Sequence, residues 1–233
     1  MYYYNSKGEL ICFNLGESKY QGKSSRIFQL KDDYYLKQYF SYSTSNVRMN
    51  QELFNILKRL DHPHINKVLE LYYDSAKIKS KEYLTSHIQN LDVDAYKYLY
   101  IEDRFANIIK ESTEYLLYNL QKLEELTYIF TELGIWMKDF KRENTVFDQD
   151  KIILIDLDCC KLVKNNSYDD IQRNNTDCLQ ELFIDLFEKC KSYSYRYEDG
   201  VFELFTKEGN SLTSSVSKKL CKYKTPLDYI KKN

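Results

Sequence analysis

The chain has 233 residues, 34 basic against 35 acidic side chains, 43% hydrophobic and 30% charged. That length allows one substantial core, or two small lobes sharing a cleft. The balanced charge argues against a dedicated nucleic-acid binder, which carries a basic excess. No apolar run reaches membrane-spanning length and no signal peptide is visible. The expectation is therefore a chain with no membrane span, resident in the cytoplasm, with signal-less export into another cell's cytosol left open. The six cysteines include no Cys-x-x-Cys pair and no Cys/His cluster of zinc spacing, so reduced thiols are expected. The 23 tyrosines are spread along the chain and do not group into a stacking surface.

In chain order, residues 10–15 form an apolar strand candidate. Residues 26–30 and 34–40 flank Lys31-Asp32-Asp33 as a hairpin. Helical spacing takes over at 49–60, with Leu53, Ile56, Leu57 and Leu60 on one face, and stops at Asp61-His62-Pro63. Residues 68–73 and 83–88 read as strands, and helix is expected again from Asp92. A long helix over 112–133 repeats Leu116, Leu120, Leu123, Leu126 and Ile129, with Gly134 at its C-cap. Residues 145–147 and 152–155 form a hairpin around Asp148-Gln-Asp150. Polar residues 164–176 read as a loop, 179–187 as a helix, and the tail as unplaced helix-like fragments. The order predicts an α+β fold of two lobes: a small β-rich N-lobe with one helix over 1–89, and a mostly helical C-lobe over 90–233.

The residues that carry chemistry cluster in Asp139-Phe-Lys141-Arg-Glu-Asn144 and Asp156-Leu-Asp158. Phosphoryl transfer needs a carboxylate to orient the attacking hydroxyl, oxygen ligands for Mg²⁺ and cations near the phosphates. Asp139 supplies the first, Asn144 and Asp156 the second, and Lys141 a catalytic cation. A hairpin over 145–155 would set Asn144 beside Asp156. The stretch Gly16 to Gly22 has five residues between its glycines where a Walker A loop needs four, and is not read as one.

Met137-Lys138-Asp139-Phe140-Lys141-Arg142-Glu143-Asn144 resembles the H-R-D-L-x-x-x-N loop of eukaryotic-type protein kinases, and Asp156-Leu157-Asp158 resembles their D-F-G motif. The resemblance extends over about residues 15–190. Leu36-Lys37 looks like the strand carrying the family's phosphate-binding lysine. Gly22 is the glycine retained from the family's glycine-rich loop, with Tyr20 and Ser25 at the outer positions. The helix ending at His62-Pro63 looks like the family's mobile helix, which implies that Glu52, one residue ahead of the usual position, pairs with Lys37. Ser86 and Ile88 fall at the inter-lobe hinge, where backbone groups would receive adenine; His87 between them has no partner to make it a metal ligand. Asp177 resembles the aspartate that braces the catalytic loop, and helix capping accounts for it equally well.

Met137 and Lys138 replace the loop histidine and arginine, Asp158 replaces the glycine of D-F-G, and the span from Asp156 to Asp177 is too short for a full activation segment. The resemblance implies an ATP- and Mg²⁺-dependent kinase transferring the γ-phosphate to a hydroxyl, Ser or Thr of a protein, with a protein substrate or activating protein as partner. Two alternatives stay open: a catalytically weak or inactive nucleotide- or partner-binding module, and a small-molecule kinase of the aminoglycoside or choline type.

Overall fold

The computed structural model describes residues 1–23, 25–30, 34–40, 51–74, 80–85, 113–148, 151–188, 193–198 and 201–211. Its elements are of the α+β class. Seven antiparallel strands from the first 85 residues make one sheet: β1 (Tyr2–Tyr4), β2 (Leu10–Cys12), β3 (Tyr20–Gln21), β4 (Ser25–Gln29), β5 (Tyr35–Tyr39), β6 (Val68–Asp74) and β7 (Ser80–Thr85). Their spatial order is β2-β1-β6-β7-β5-β4-β3. The expected hairpin at 26–40 is present as β4 and β5, in a register that sets Ile27 opposite Lys37.

Alternation gives the sheet two different faces. Phe28, Leu36, Tyr3 and Tyr72 bury one face under Phe13 and Leu15. Tyr39 and Leu71 join the main core on the other. Helix α1 (Gln51–Leu57) packs Leu53, Phe54 and Leu57 into that same core, as its apolar spacing requires.

Helix α2 (Thr113–Glu132) follows the expected bounds closely and buries Leu120, Leu123, Leu126 and Ile129. It ends at Gly134, whose φ of +67° is the left-handed conformation that a C-terminal glycine adopts without strain. The short strand β8 (Ile135–Trp136) pairs with β11 (Lys161–Leu162). Between them, β9 (Thr145–Asp148) and β10 (Lys151–Leu154) form the expected hairpin, with Thr145 opposite Leu154. Segment 64–66 stitches this hairpin to the sheet half of the chain. Leu154 N donates to His64 O at 2.9 Å, and Asn66 N donates to Leu154 O at 2.7 Å.

Two expectations need correction. Residues 164–176 are not a loop throughout, because helix α3 runs from Tyr168 to Glu188. Ser167 starts it: its hydroxyl accepts from Asp170 N at 3.1 Å and donates to the Asp170 carboxylate at 2.7 Å, a reciprocal cap on the first turn. The polar composition of that turn reflects its exposure. The C-terminal fragments are not helical where described. Tyr193–Glu198 (β12) and Val201–Thr206 (β13) pair as an antiparallel hairpin, which packs Tyr195 against Phe187, ring centroids 4.6 Å apart, and buries Leu204. The domain boundary expected near residue 89 lies outside the described residues.

Candidate functional site

Asp139 stands on a loop whose neighbours are anchored. Met137 and Phe140 are buried, Phe140 edge-on to Phe130, while Lys138 and Asp139 face outward. Helix α3 holds the approach to this loop. Asn175, fully buried, accepts from Met137 N at 2.7 Å and donates to Ile135 O and to the Thr131 hydroxyl, each at 3.0 Å. Asn174 donates to Met137 O at 3.0 Å, and the Asp185 carboxylate accepts from Arg142 N at 2.7 Å. Asp177, offered as the brace, is exposed in the middle of α3; a residue there can neither cap the helix nor reach under the loop. Asn175 does that work instead. Its signal in the sequence was weak, because an asparagine in a polar run resembles any solvated residue.

The loop closes on itself. Residues Arg142–Asn144 make one 3-10 turn. The Asn144 side-chain amide donates to Asp139 O at 2.7 Å and to its carboxylate at 3.2 Å. Lys141 Nζ donates to the other Asp139 oxygen at 2.8 Å, and this bond is the first cause of a Lys141 pKa above the ordinary lysine value. The Asp139 carboxylate is thus held from two sides and remains part-exposed.

Hairpin β9–β10 brings the second motif back to the first, as its strand spacing predicts. Ile155 N donates to Asn144 O at 2.9 Å, so Asp156 follows directly on the residue bonded to Asn144. Asp139 and Asp156 are the non-glycine residues with positive φ among those described, at +60° and +62°. Aspartate tolerates this region better than most residues, at some cost in strain, and such strain concentrates at functional sites.

Lys37 arrives from β5 of the sheet. Its ammonium bonds the Asp156 carboxylate and reaches Asp158 Oδ2 at 2.8 Å. Asp158 lies in the 3-10 turn Leu157–Cys159 and is only 3% exposed; its Oδ2 also accepts from the Tyr39 hydroxyl, and its Oδ1 is buried without a hydrogen-bond partner. Glu52 is not the partner of Lys37. It is exposed and pairs with Lys164 at 2.9 Å, because at one residue before buried Leu53 it points out of the core.

Gly22 N donates to Ser25 O at 2.8 Å, closing the β3–β4 turn. Tyr20, Ile27 and Lys37 form a cross-strand row on one face of the sheet. Ser86, His87 and Ile88 lie outside the described residues. Cys159, next to the site, is pushed up to about 11, chiefly by burial and then by Asp158, and so stays a thiol.

Among the described residues, no three His, Cys, Asp or Glu side chains form a metal-holding cluster. Mg²⁺ asks less of a protein, since one or two carboxylates plus substrate phosphates and water complete its shell. Asp156 and the Asn144 amide oxygen are hard oxygen donors of that kind. No family model matches this chain, and no curated protein matches it. Among the described residues no helix is long and apolar enough to cross a membrane.

Proposed function

We propose that this chain is a protein-kinase-like phosphotransferase that moves the γ-phosphate of ATP to a hydroxyl, with Ser or Thr of a protein as the acceptor. The observation that carries this reading is the meeting of Lys37, from the sheet, with Asp156, from the segment hydrogen-bonded to Asn144, which in turn bonds Asp139. Four side chains scattered over more than a hundred positions share one small region, each with the chemistry that phosphoryl transfer uses. In this reading Asp139 accepts the hydrogen bond of the acceptor hydroxyl and orients it. Lys141 and Lys37 offset phosphate charge from two sides. Asp156 and Asn144 would hold Mg²⁺, which would supply positive charge to offset that of the phosphates. The β3–β4 hairpin closed by Gly22 would offer backbone N–H groups to the phosphates.

The acceptor side is sparse. Only residues 163–167 separate β11 from α3, leaving little chain for a peptide-docking platform. An acceptor protein would then be recognised by surfaces away from the reacting centre.

A second reading, nucleotide binding without transfer, is favoured by one observation: Lys37 is already neutralised by two carboxylates. Transfer of labelled γ-phosphate in Mg-ATP separates the two, with the wild-type chain compared to Lys37→Met, Asp139→Ala and Asp156→Ala, each checked for folding by circular dichroism. Transfer should fall at least about 100-fold in each variant, the scale of losing a positioned acid–base or electrostatic group. Binding without transfer supports the second reading, and transfer that survives unchanged in Asp139→Ala and Asp156→Ala sinks the first.

A further inference from the structure

We infer that Asp158 is the positioning residue of Lys37, taking over from the sheet-facing helix the task of holding that ammonium against a nucleotide phosphate. The inference rests on the phosphotransfer reading. A lysine that is 6% exposed needs a fixed counter-charge, since an unpaired buried ammonium is strongly destabilising. Asp156 meets it, but Asp156 is part-exposed and is also the carboxylate placed to take a metal ion. Drawn toward a metal ion, that carboxylate has less charge to offer the ammonium, and a second one is needed to hold it. Asp158 is that second one: it is buried, 2.8 Å from Lys37 Nζ, and its bonding oxygen is pinned by the Tyr39 hydroxyl from the same strand as Lys37. Helix α1 offers no rival, because Glu52 is committed to Lys164 in solvent. The two aspartates of Asp156-Leu157-Asp158 thereby divide the work. Leu157, 2% exposed, is the core anchor that sets both at fixed height.

The test uses the full chain and two measurements. The first is calorimetric titration with Mg-ATP. Asp158→Asn keeps shape and loses charge, whereas Asp158→Glu keeps charge and changes length. If Asp158 positions the ammonium by charge, the dissociation constant rises at least tenfold in Asp158→Asn and less in Asp158→Glu, while Glu52→Gln stays within twofold of wild type. A packing role reverses the order of the two Asp158 variants and overturns the inference. So does an Asp158→Asn affinity within twofold of a wild type that binds, although that result leaves the phosphotransfer reading standing. A wild type that does not bind Mg-ATP removes both. Should Asp158→Asn fail to fold, Tyr39→Phe, which frees the bonding oxygen at constant volume, must weaken Mg-ATP severalfold, and an unchanged affinity refutes the proposal. The second measurement needs no nucleotide. The Tm loss of the Lys37→Met/Asp158→Asn double variant should be smaller than the sum of the single losses, and strict additivity counts against the pair.

Discussion

Asp139 and Asp156 occupy backbone conformations that glycine would adopt with less strain. A structural role predicts destabilisation when either is removed; a functional role predicts the opposite. We expect Asp139→Gly and Asp156→Gly to change unfolding free energy by less than about 1 kcal/mol, relief of strain offsetting lost contacts and added chain freedom. Denaturant titration measures this, and in the same variants γ-phosphate transfer should be lost. Asn175 should behave in reverse. Its amide bonds four groups, Met137 N, the Asn174 amide, the Thr131 hydroxyl and Ile135 O, in a fully buried position. Asn175→Leu would take this partner from Met137 N and Ile135 O and cost about 2–4 kcal/mol, read as a shift in the urea midpoint. His64 gives a pH signature. Its Nδ1 sits 2.7 Å from Ile152 O, and since a carbonyl only accepts, that nitrogen carries the proton. Burial, above all, lowers its pKa from 6.5 to about 4. The unfolded chain therefore binds the extra proton first as pH falls. The stabilisation is full above pH 6.5 and is lost on the way down to pH 4, by about 3 kcal/mol in total. His64→Gln should flatten that slope in denaturation series run across this window.

Among the elements, helix α3 bears most directly on the site, because its Asn174, Asn175 and Asp185 hold the Asp139 loop. Its start depends on the Ser167–Asp170 cap. Ser167→Ala should cost about 1 kcal/mol of stability, measured by thermal or urea unfolding, and Ser167→Asp should also destabilise, because it loses the donor to Asp170 and sets a second carboxylate against it. This element also shows where the sequence was legible. Helix α2 was readable because its leucines recur at three and four and a glycine follows. The β4–β5 and β9–β10 hairpins were readable because short apolar runs flank polar turns. The first two turns of α3 were not, since Ile171 is the one apolar anchor before Cys178 and the Ser-x-x-Asp cap was the only other sign. The β12–β13 hairpin carried its own sign, alternating tyrosines before Asp199-Gly200, in a tail scanned for helix. Residue type and spacing singled out Asp139, Lys141, Asn144 and Asp156, the resemblance singled out Lys37, and the fold brings these five side chains together. Asp158 was not singled out, because its position in the motif suggests a turn residue, and only the fold reveals that it is buried beside a lysine.

At the scale of the molecule, one apolar cluster runs from Tyr39, Leu53 and Leu71 through Leu123 and Leu154 to Leu182 and Leu204. Sheet and helices thus share this core, and Tyr3, Phe28, Leu36 and Tyr72 form a smaller one on the other face of the sheet. Calorimetric unfolding should accordingly show a single transition whose van't Hoff and calorimetric enthalpies agree; two resolved transitions would contradict a shared core. That unity changes what the exposed Glu52–Lys164 contact means. A lysine guyed from a movable helix turns every swing of that helix into a signal. Here Asp156 and Asp158, which bond Lys37, belong to one short turn rooted in the core by Leu157, whereas α1 is held by Leu53, Phe54 and Leu57 in that core and its Glu52 makes a solvent-screened pair of small worth. The two aspartates that bond the lysine do not lie on α1. On the phosphotransfer reading, a regulator of that lysine would have to reach the Asp156–Asp158 turn and not the helix.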